Sequence, residues 1–175
     1  MELRKYELTS ETKYYFGIKL FRIRALISFG SVVKGELGGF VESEKNVSHS
    51  GNAWVFGDAC IKGDACIKGD ACIGGDACIG GNARIGGDAC IGGDACIGGD
   101  AYIVLSTDYF SAGPIGSRSS FITFTKSNMS ITTGCFFGTI TAFVKAVKKT
   151  HGENQHAKNY LALVKIVKAM WKESK

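Results

Sequence analysis

One proline and three histidines stand against 24 glycines in this chain of 175 residues. So little proline beside so much glycine is not the composition of a disordered linker, and 45% apolar content is enough to bury a core. No apolar run approaches the roughly 20 residues that a membrane-spanning helix needs. The opening MELRKYELTS lacks the apolar centre of a secretory signal, so a cytoplasmic setting is expected. Histidine is missing from residues 51–104, the most regular part of the chain, which leaves that part without the usual general base. There is no phosphate-binding glycine loop. The closest cysteines are six residues apart with Ile between them, which is not the paired spacing of a zinc site. Neither a metal nor a cofactor is expected.

What is present is a repeat. Residues 51–104 form nine consecutive hexads: GNAWVF, GDACIK twice, GDACIG twice, GNARIG, GDACIG twice and GDAYIV. The second residue is Asp or Asn, the third Ala and the fifth Ile or Val, while the fourth is Cys, Trp, Arg or Tyr. Alternation along a short extended segment sends Ala and Ile to one side and the fourth residue to the other. At the corners Gly supplies positive φ, and the Asp or Asn side chain can accept bonds from nearby backbone amides. Strand, corner and strand with no room for a helix describe a solenoid whose coils stack.

Units such as I79-G-G-N-A83-R and I61-K-G-D-A65-C resemble the hexapeptide pattern of the left-handed parallel β-helix. The resemblance implies a triangular prism with three hexads per coil. The expected fold class is therefore mainly β: a left-handed parallel β-helix over 37–120, a β-rich N-terminal cap over 1–36, and a C-terminal cap of a β-hairpin and two helices over 121–175. Val41 and Val47 are expected at the small-residue phase and Leu37 at the aliphatic phase. Ile103, Tyr109, Ile115 and Phe121 keep the spacing of six and would carry the rod to four or five coils. Residues 121–138 read as a hairpin turning at Lys126, Ser127 and Asn128. A helix capped by Thr139 and ended by Gly152 follows, then a second over 154–172.

Coils of eighteen residues would stack Cys60, Cys78 and Cys96 on one wall, Trp54, Cys72 and Cys90 on another, and Cys66, Arg84 and Tyr102 on the third. Parallel in-register side chains would strain a disulfide, so these outward thiols read as small apolar fillers of a reduced wall. Cys135 lies in an apolar, hairpin-like stretch and is expected to be buried. Stacked corners such as Asp58, Asp76 and Asp94 cost roughly 1 kcal/mol per neighbouring pair in water, which a turn-forming role tolerates without a cation. Residues 105–175 carry ten basic and three acidic groups. Lys158, Lys165, Lys168 and Lys172 form a basic stripe on the last helix, read as a solvated face, with nucleic acid as the alternative partner.

The whole chain also resembles uncharacterised hexapeptide-repeat proteins of bacteriophages and prophages. The phrases that carry this are L37-G-G-F-V-E-S-E-K-N46, G134-C-F-F-G-T139, T150-H-G-E-N154 and A157-K-N-Y-L161. That resemblance implies the host cytoplasm as the location and a host protein, of a defence system, as the target; it assigns no residue a function. Many left-handed β-helix proteins are acyltransferases with a histidine base, for which only His49 lies near the prism, since His151 and His156 fall around the turn between the helices. A sponge for a small nucleotide signal held between protomers is a further alternative. The favoured reading is a non-catalytic binding or scaffold protein. Its candidate surface is Trp54, Arg84 and Tyr102 with Cys60, Cys78 and Cys96, and its expected assembly is a homotrimer.

Overall fold

A computed structural model describes residues 4–172; the outermost residues of both expected caps, 1–3 and 173–175, lie outside the described residues. The chain opens with a long antiparallel hairpin, β1 (Tyr6–Tyr15) and β2 (Ile18–Ala25), and β2 pairs antiparallel with β3 (Leu37–Val41). Each hexad then contributes one two-residue strand: β4 (Trp54–Val55), β5 (Cys60–Ile61), β6 (Cys66–Ile67), β7 (Cys72–Ile73), β8 (Cys78–Ile79), β9 (Arg84–Ile85), β10 (Cys90–Ile91), β11 (Cys96–Ile97) and β12 (Tyr102–Ile103). Each of β4 to β9 pairs in parallel with the strand eighteen residues on, as Cys60 with Cys78 and Cys66 with Arg84. The product is a β-solenoid of about four turns. Its first wall is β3-β5-β8-β11, its second β4-β7-β10 and its third β6-β9-β12.

The two-sided hexad explains the interior. Every Ala from Ala53 to Ala101 and every Ile from Ile61 to Ile103 in the repeats is buried in one continuous column. The small residue lets the chain turn toward the axis and the branched one fills the space beside it. Corner glycines such as Gly75 have φ +67°, and a Cβ there would stand 2.8 Å from the Gly93 carbonyl oxygen of the next coil. Glycine is thus required twice, by conformation and by stacking distance.

Between coils the hydrogen bonds run one way. The amide of Cys60 donates to Ala77 O, Cys66 to Ala83 O, Cys72 to Ala89 O and Cys78 to Ala95 O, all at 2.8–2.9 Å. Strand amides therefore point toward the C-terminal end and carbonyls toward the N-terminal end, so the first coil leaves carbonyls open and the last leaves amides open. The caps answer with opposite chemistry. At the first coil, donors arrive: Lys5 Nζ gives bonds to Gly51 O and Ala53 O, Lys13 Nζ to Asp58 O, and Asn46 Nδ2 to Gly63 O and Ala65 O. At the last coil, acceptors arrive: Ser106 Oγ takes the Cys90 amide, Thr123 Oγ1 that of Cys96, Ser127 Oγ that of Tyr102 and Asp108 Oδ2 that of Val104.

The C-terminal cap is a four-stranded antiparallel sheet, β13 (Tyr109–Ile115), β14 (Ser120–Thr125), β15 (Ser130–Thr133) and β16 (Phe136–Thr139), followed by α1 (Ile140–His151) and α2 (Gln155–Lys172). Thr139 Oγ1 accepts the Ala142 amide at 3.2 Å, and Gly152, with φ +55°, ends α1. Ile122, Phe124, Ile131, Phe143, Tyr160 and Val167 form a second core separate from the solenoid column.

Two expectations at the margins of the repeat are corrected. Tyr109, Ile115 and Phe121 do not extend the rod, because Tyr109–Ile115 pairs antiparallel with β14; a spacing of six without corner glycines does not bend the chain back onto a wall. Val41 and Val47 align with Ile61 and Ile67, which places them at the aliphatic phase, while Leu37 is exposed. The register there is twenty residues, so two extra residues lie between Val47 and Val55, and an uninterrupted count of six assigns the wrong phase.

Two tests follow from the stacking and capping chemistry. Gly75→Ala should lower stability by about 1–3 kcal/mol in a denaturant titration, whereas Gly86→Ala, which has open space around its Cβ, should be near neutral; equal effects would remove the stacking constraint. Burial of Lys5 pushes its ammonium down from 10.5 to about 8. Between those values the unfolded chain holds a proton that the fold does not, so stability from this group rises with pH across the window. Lys5→Met should cost about 2 kcal/mol by stranding buried carbonyls, and the deficit should widen from pH 8 to 10.

Candidate binding surface

The three outward ladders meet very different surroundings. On the first wall, β1 and β2 fold across the thiols: Cys60 and Cys78 are 4% and 6% exposed and pack with Leu20, Phe40, Tyr15 and Ile18, with Cys96 half-buried beside them. The expected open surface of Cys60, Cys78 and Cys96 is therefore corrected. These sulfurs are outside the tube, as the alternation dictates, yet inside the molecule, because the N-terminal hairpin uses their apolar surface as its own floor.

Burial there shapes the acid–base chemistry. The hydrogen bond from Cys96, together with Tyr15 and the nearby Lys62 and Lys13, draws the Cys78 thiol below its ordinary range, while the same hydrogen bond and burial hold Cys96 above it. Burial, and then hydrogen bonding to Cys78, raises Tyr15. A thiol covered in this way is shielded from solvent reagents while the hairpin stays closed.

On the second wall Trp54 is 1% exposed, with Phe29 edge-on at 5.4 Å between ring centroids and Tyr6 at 6.0 Å. It is a core residue of the N-terminal cap, which corrects its place in the candidate surface; Cys72 above it is half-buried and Cys90 exposed. A large aromatic on the coil next to the cap is as suited to anchoring the cap as to meeting a partner, and the sequence alone does not separate these.

The third wall stays open. Arg84 is exposed and Tyr102 is 57% exposed. Together with the corner residues Asp64, Asn82 and Asp100 they line a shallow cleft of about 420 Å³. Asn82 Nδ2 donates to Asp100 Oδ1 at 2.9 Å, and Lys45 pairs with Asp64 at 2.6 Å. The pairing of Asn with Asp one coil above recurs where Asn52 Nδ2 meets Asp70 Oδ1 at 2.8 Å. Reading Asp and Asn as equivalent corner residues misses this; their offset of eighteen is the signal in the sequence. Among the described residues Arg84 has no carboxylate within ion-pair distance.

The remaining candidates fall elsewhere. His49 sits in the two-residue insertion before the repeats, where Nδ1 accepts the Lys5 amide at 3.2 Å, Nε2 lies 3.3 Å from Glu44 Oε1, and the ring stacks 4.6 Å from Tyr6. These contacts set the ring within the N-terminal cap, against Lys5, Tyr6 and Glu44. Cys135 is exposed, correcting its expected burial, because it follows Gly134 in the turn between β15 and β16. Lys158, Lys165, Lys168 and Lys172 are all exposed on α2. Among the described residues no group of His, Cys, Asp and Glu could hold a metal ion, and no helix is long and apolar enough to cross a membrane.

No protein-family model matches this chain, and no curated protein matches it.

The covered wall gives a direct test. On brief exposure of the folded protein to iodoacetamide, peptide mass spectrometry should find Cys90 and Cys135 alkylated first, with Cys60 and Cys78 at least about a hundredfold slower because they need the hairpin to open. Equal rates at Cys60 and Cys90 would show the first wall to be open.

Proposed function

We propose that this is a non-catalytic binding protein that engages a protein partner through its third wall, at Arg84 and Tyr102. The observation that carries this is the contrast between walls. The caps of the chain occupy the first wall and the Trp54 end of the second, whereas the third presents an exposed tyrosine beside an arginine that has no carboxylate within ion-pair distance among the described residues. Those two residue types supply rigid contact area and a fork of donors with little loss of side-chain freedom. The repeat holds both on backbone that is fixed by bonds above and below, so little ordering is needed on binding.

The resemblance to phage proteins supports a host protein as that partner, and a counter-defence role is the extension of that reading. Side-by-side trimerisation has the Cys72 and Cys90 wall available, since the hairpin already fills the other cysteine wall. The acyltransferase reading has less to support it, since its candidate base His49 packs in the N-terminal cap against Tyr6 and Lys5. The lysine stripe on α2 supports at most an auxiliary attraction to acidic partners.

Capture of partners from host lysate, comparing wild type with Arg84→Ala/Tyr102→Ala and with Lys168→Ala as a surface control, tests the assignment. The double variant should lose a specifically retained protein by roughly thirtyfold or more, corresponding to about 2 kcal/mol at a central contact, while the control retains it. Equal recovery by the double variant would remove the third wall from the account. Light scattering should give three times the 18.7 kDa chain mass if the trimer forms.

A further inference from the structure

The C-terminal cap contains a cleft that the binding wall does not use. It is about 280 Å³ in volume and opens between the turn after β13, the turn before β16, the last turns of α1 and Tyr160 of α2. Its floor is apolar, formed by Phe136, Phe143 and Val147. Its mouth is polar, with Arg118 and Cys135 on one side and His151 on the other, and no carboxylate lines it.

Two glycine turns border this space. Gly116 has φ +77°, and a Cβ there would fall 1.8 Å from the Tyr160 hydroxyl, whereas Gly134, with φ +52°, serves by its backbone conformation. Of the five arginines in the chain, Arg4, Arg22 and Arg24 each have a glutamate partner, and Arg84 belongs to the third wall. Arg118 has no carboxylate partner among the described residues. One of its donors reaches the Cys135 sulfur at 3.3 Å, and a thiol is a weak acceptor for a guanidinium. A planar fork of donors beside an apolar floor fits a ligand with an oxyanion at one end and an apolar body at the other. A volume at the lower edge of the usual range for ligand pockets limits that body to a small one.

We propose that this cleft binds a small organic anion, its carboxylate or phosphate on Arg118 in place of the Cys135 thiol, and its apolar body against Phe143 and Val147. The site is independent of the third wall, so either assignment stands or falls alone. Cys135 serves as its reporter and Cys90, exposed on the solenoid, as a control within the same molecule.

The experiment compares alkylation of the folded full-length chain by iodoacetate and by neutral iodoacetamide, read at each cysteine by peptide mass spectrometry. Arg118 should favour the anionic reagent, so that the rate ratio at Cys135 exceeds that at Cys90 by about fivefold. Benzoate or phenyl phosphate at ~4 mM should slow iodoacetamide at Cys135 about fivefold for a dissociation constant of ~1 mM, leaving Cys90 unchanged. The more effective of the two identifies the oxyanion. Inorganic phosphate, which has no apolar body, should protect far less. Arg118→Gln, a substitution of an exposed side chain, should bring the Cys135 ratio to that of Cys90. Equal ratios in wild type with no protection by either organic anion would overturn the site, and equal protection by inorganic phosphate would overturn its apolar half.

Discussion

From Trp54 to Arg84 the amide that opens each repeat strand donates toward the C-terminal end, to a carbonyl seventeen residues further along the chain, and this single direction governs the rest of the molecule. A stack of this kind has ends of opposite character, one all acceptors and the other all donors, and neither can be left bare without offering an edge to other chains. Lys5, Lys13 and Asn46 bring donors to the first coil, while Ser106, Thr123, Ser127 and Asp108 bring acceptors to the last. A lysine buried to 1% exposure is costly in general, and here it is held because two open carbonyls of the first coil require it.

The caps also decide which surface remains. A prism built from nearly identical hexads begins with three equivalent walls, and nothing in the repeat makes one better than another for binding. The N-terminal hairpin breaks that symmetry when it buries Cys60 and Cys78 under Tyr15, Ile18 and Leu20. The same cap encloses Trp54 beside Phe29 and Tyr6. What is left open is the wall where Arg84 and Tyr102 stand in register, together with the Cys90 end of the second wall. Which outward residues stay exposed is thus a by-product of end protection.

Legibility in the sequence followed the length scale of the interactions. Ala at the third position and Ile at the fifth are separated by two bonds of alternation, and both proved buried through the whole repeat. The hairpin turn at 126–128 and the Thr139 and Gly152 helix ends are likewise local, set by a few neighbouring residues. Phase across the gap between Val47 and Val55 was not legible, because an insertion of two residues leaves no mark in a count of six. Nor was the exposure of Cys135, whose apolar neighbours Phe136 and Phe143 pack beneath the turn while the thiol itself remains at the mouth of a cleft.

By itself the sequence determined the column: side-chain alternation and glycine corners recur every six residues, so each unit dictates its own inside and outside without reference to the rest of the chain. Only the tertiary structure decided which outward residues meet solvent, since that depends on where the hairpin and the C-terminal sheet come to rest. It likewise placed Arg118, Cys135 and His151, distant in sequence, around one cleft. The physical reason is that alternation acts between neighbours, whereas coverage is set by contacts across tens of residues, for which the repeat carries no signal.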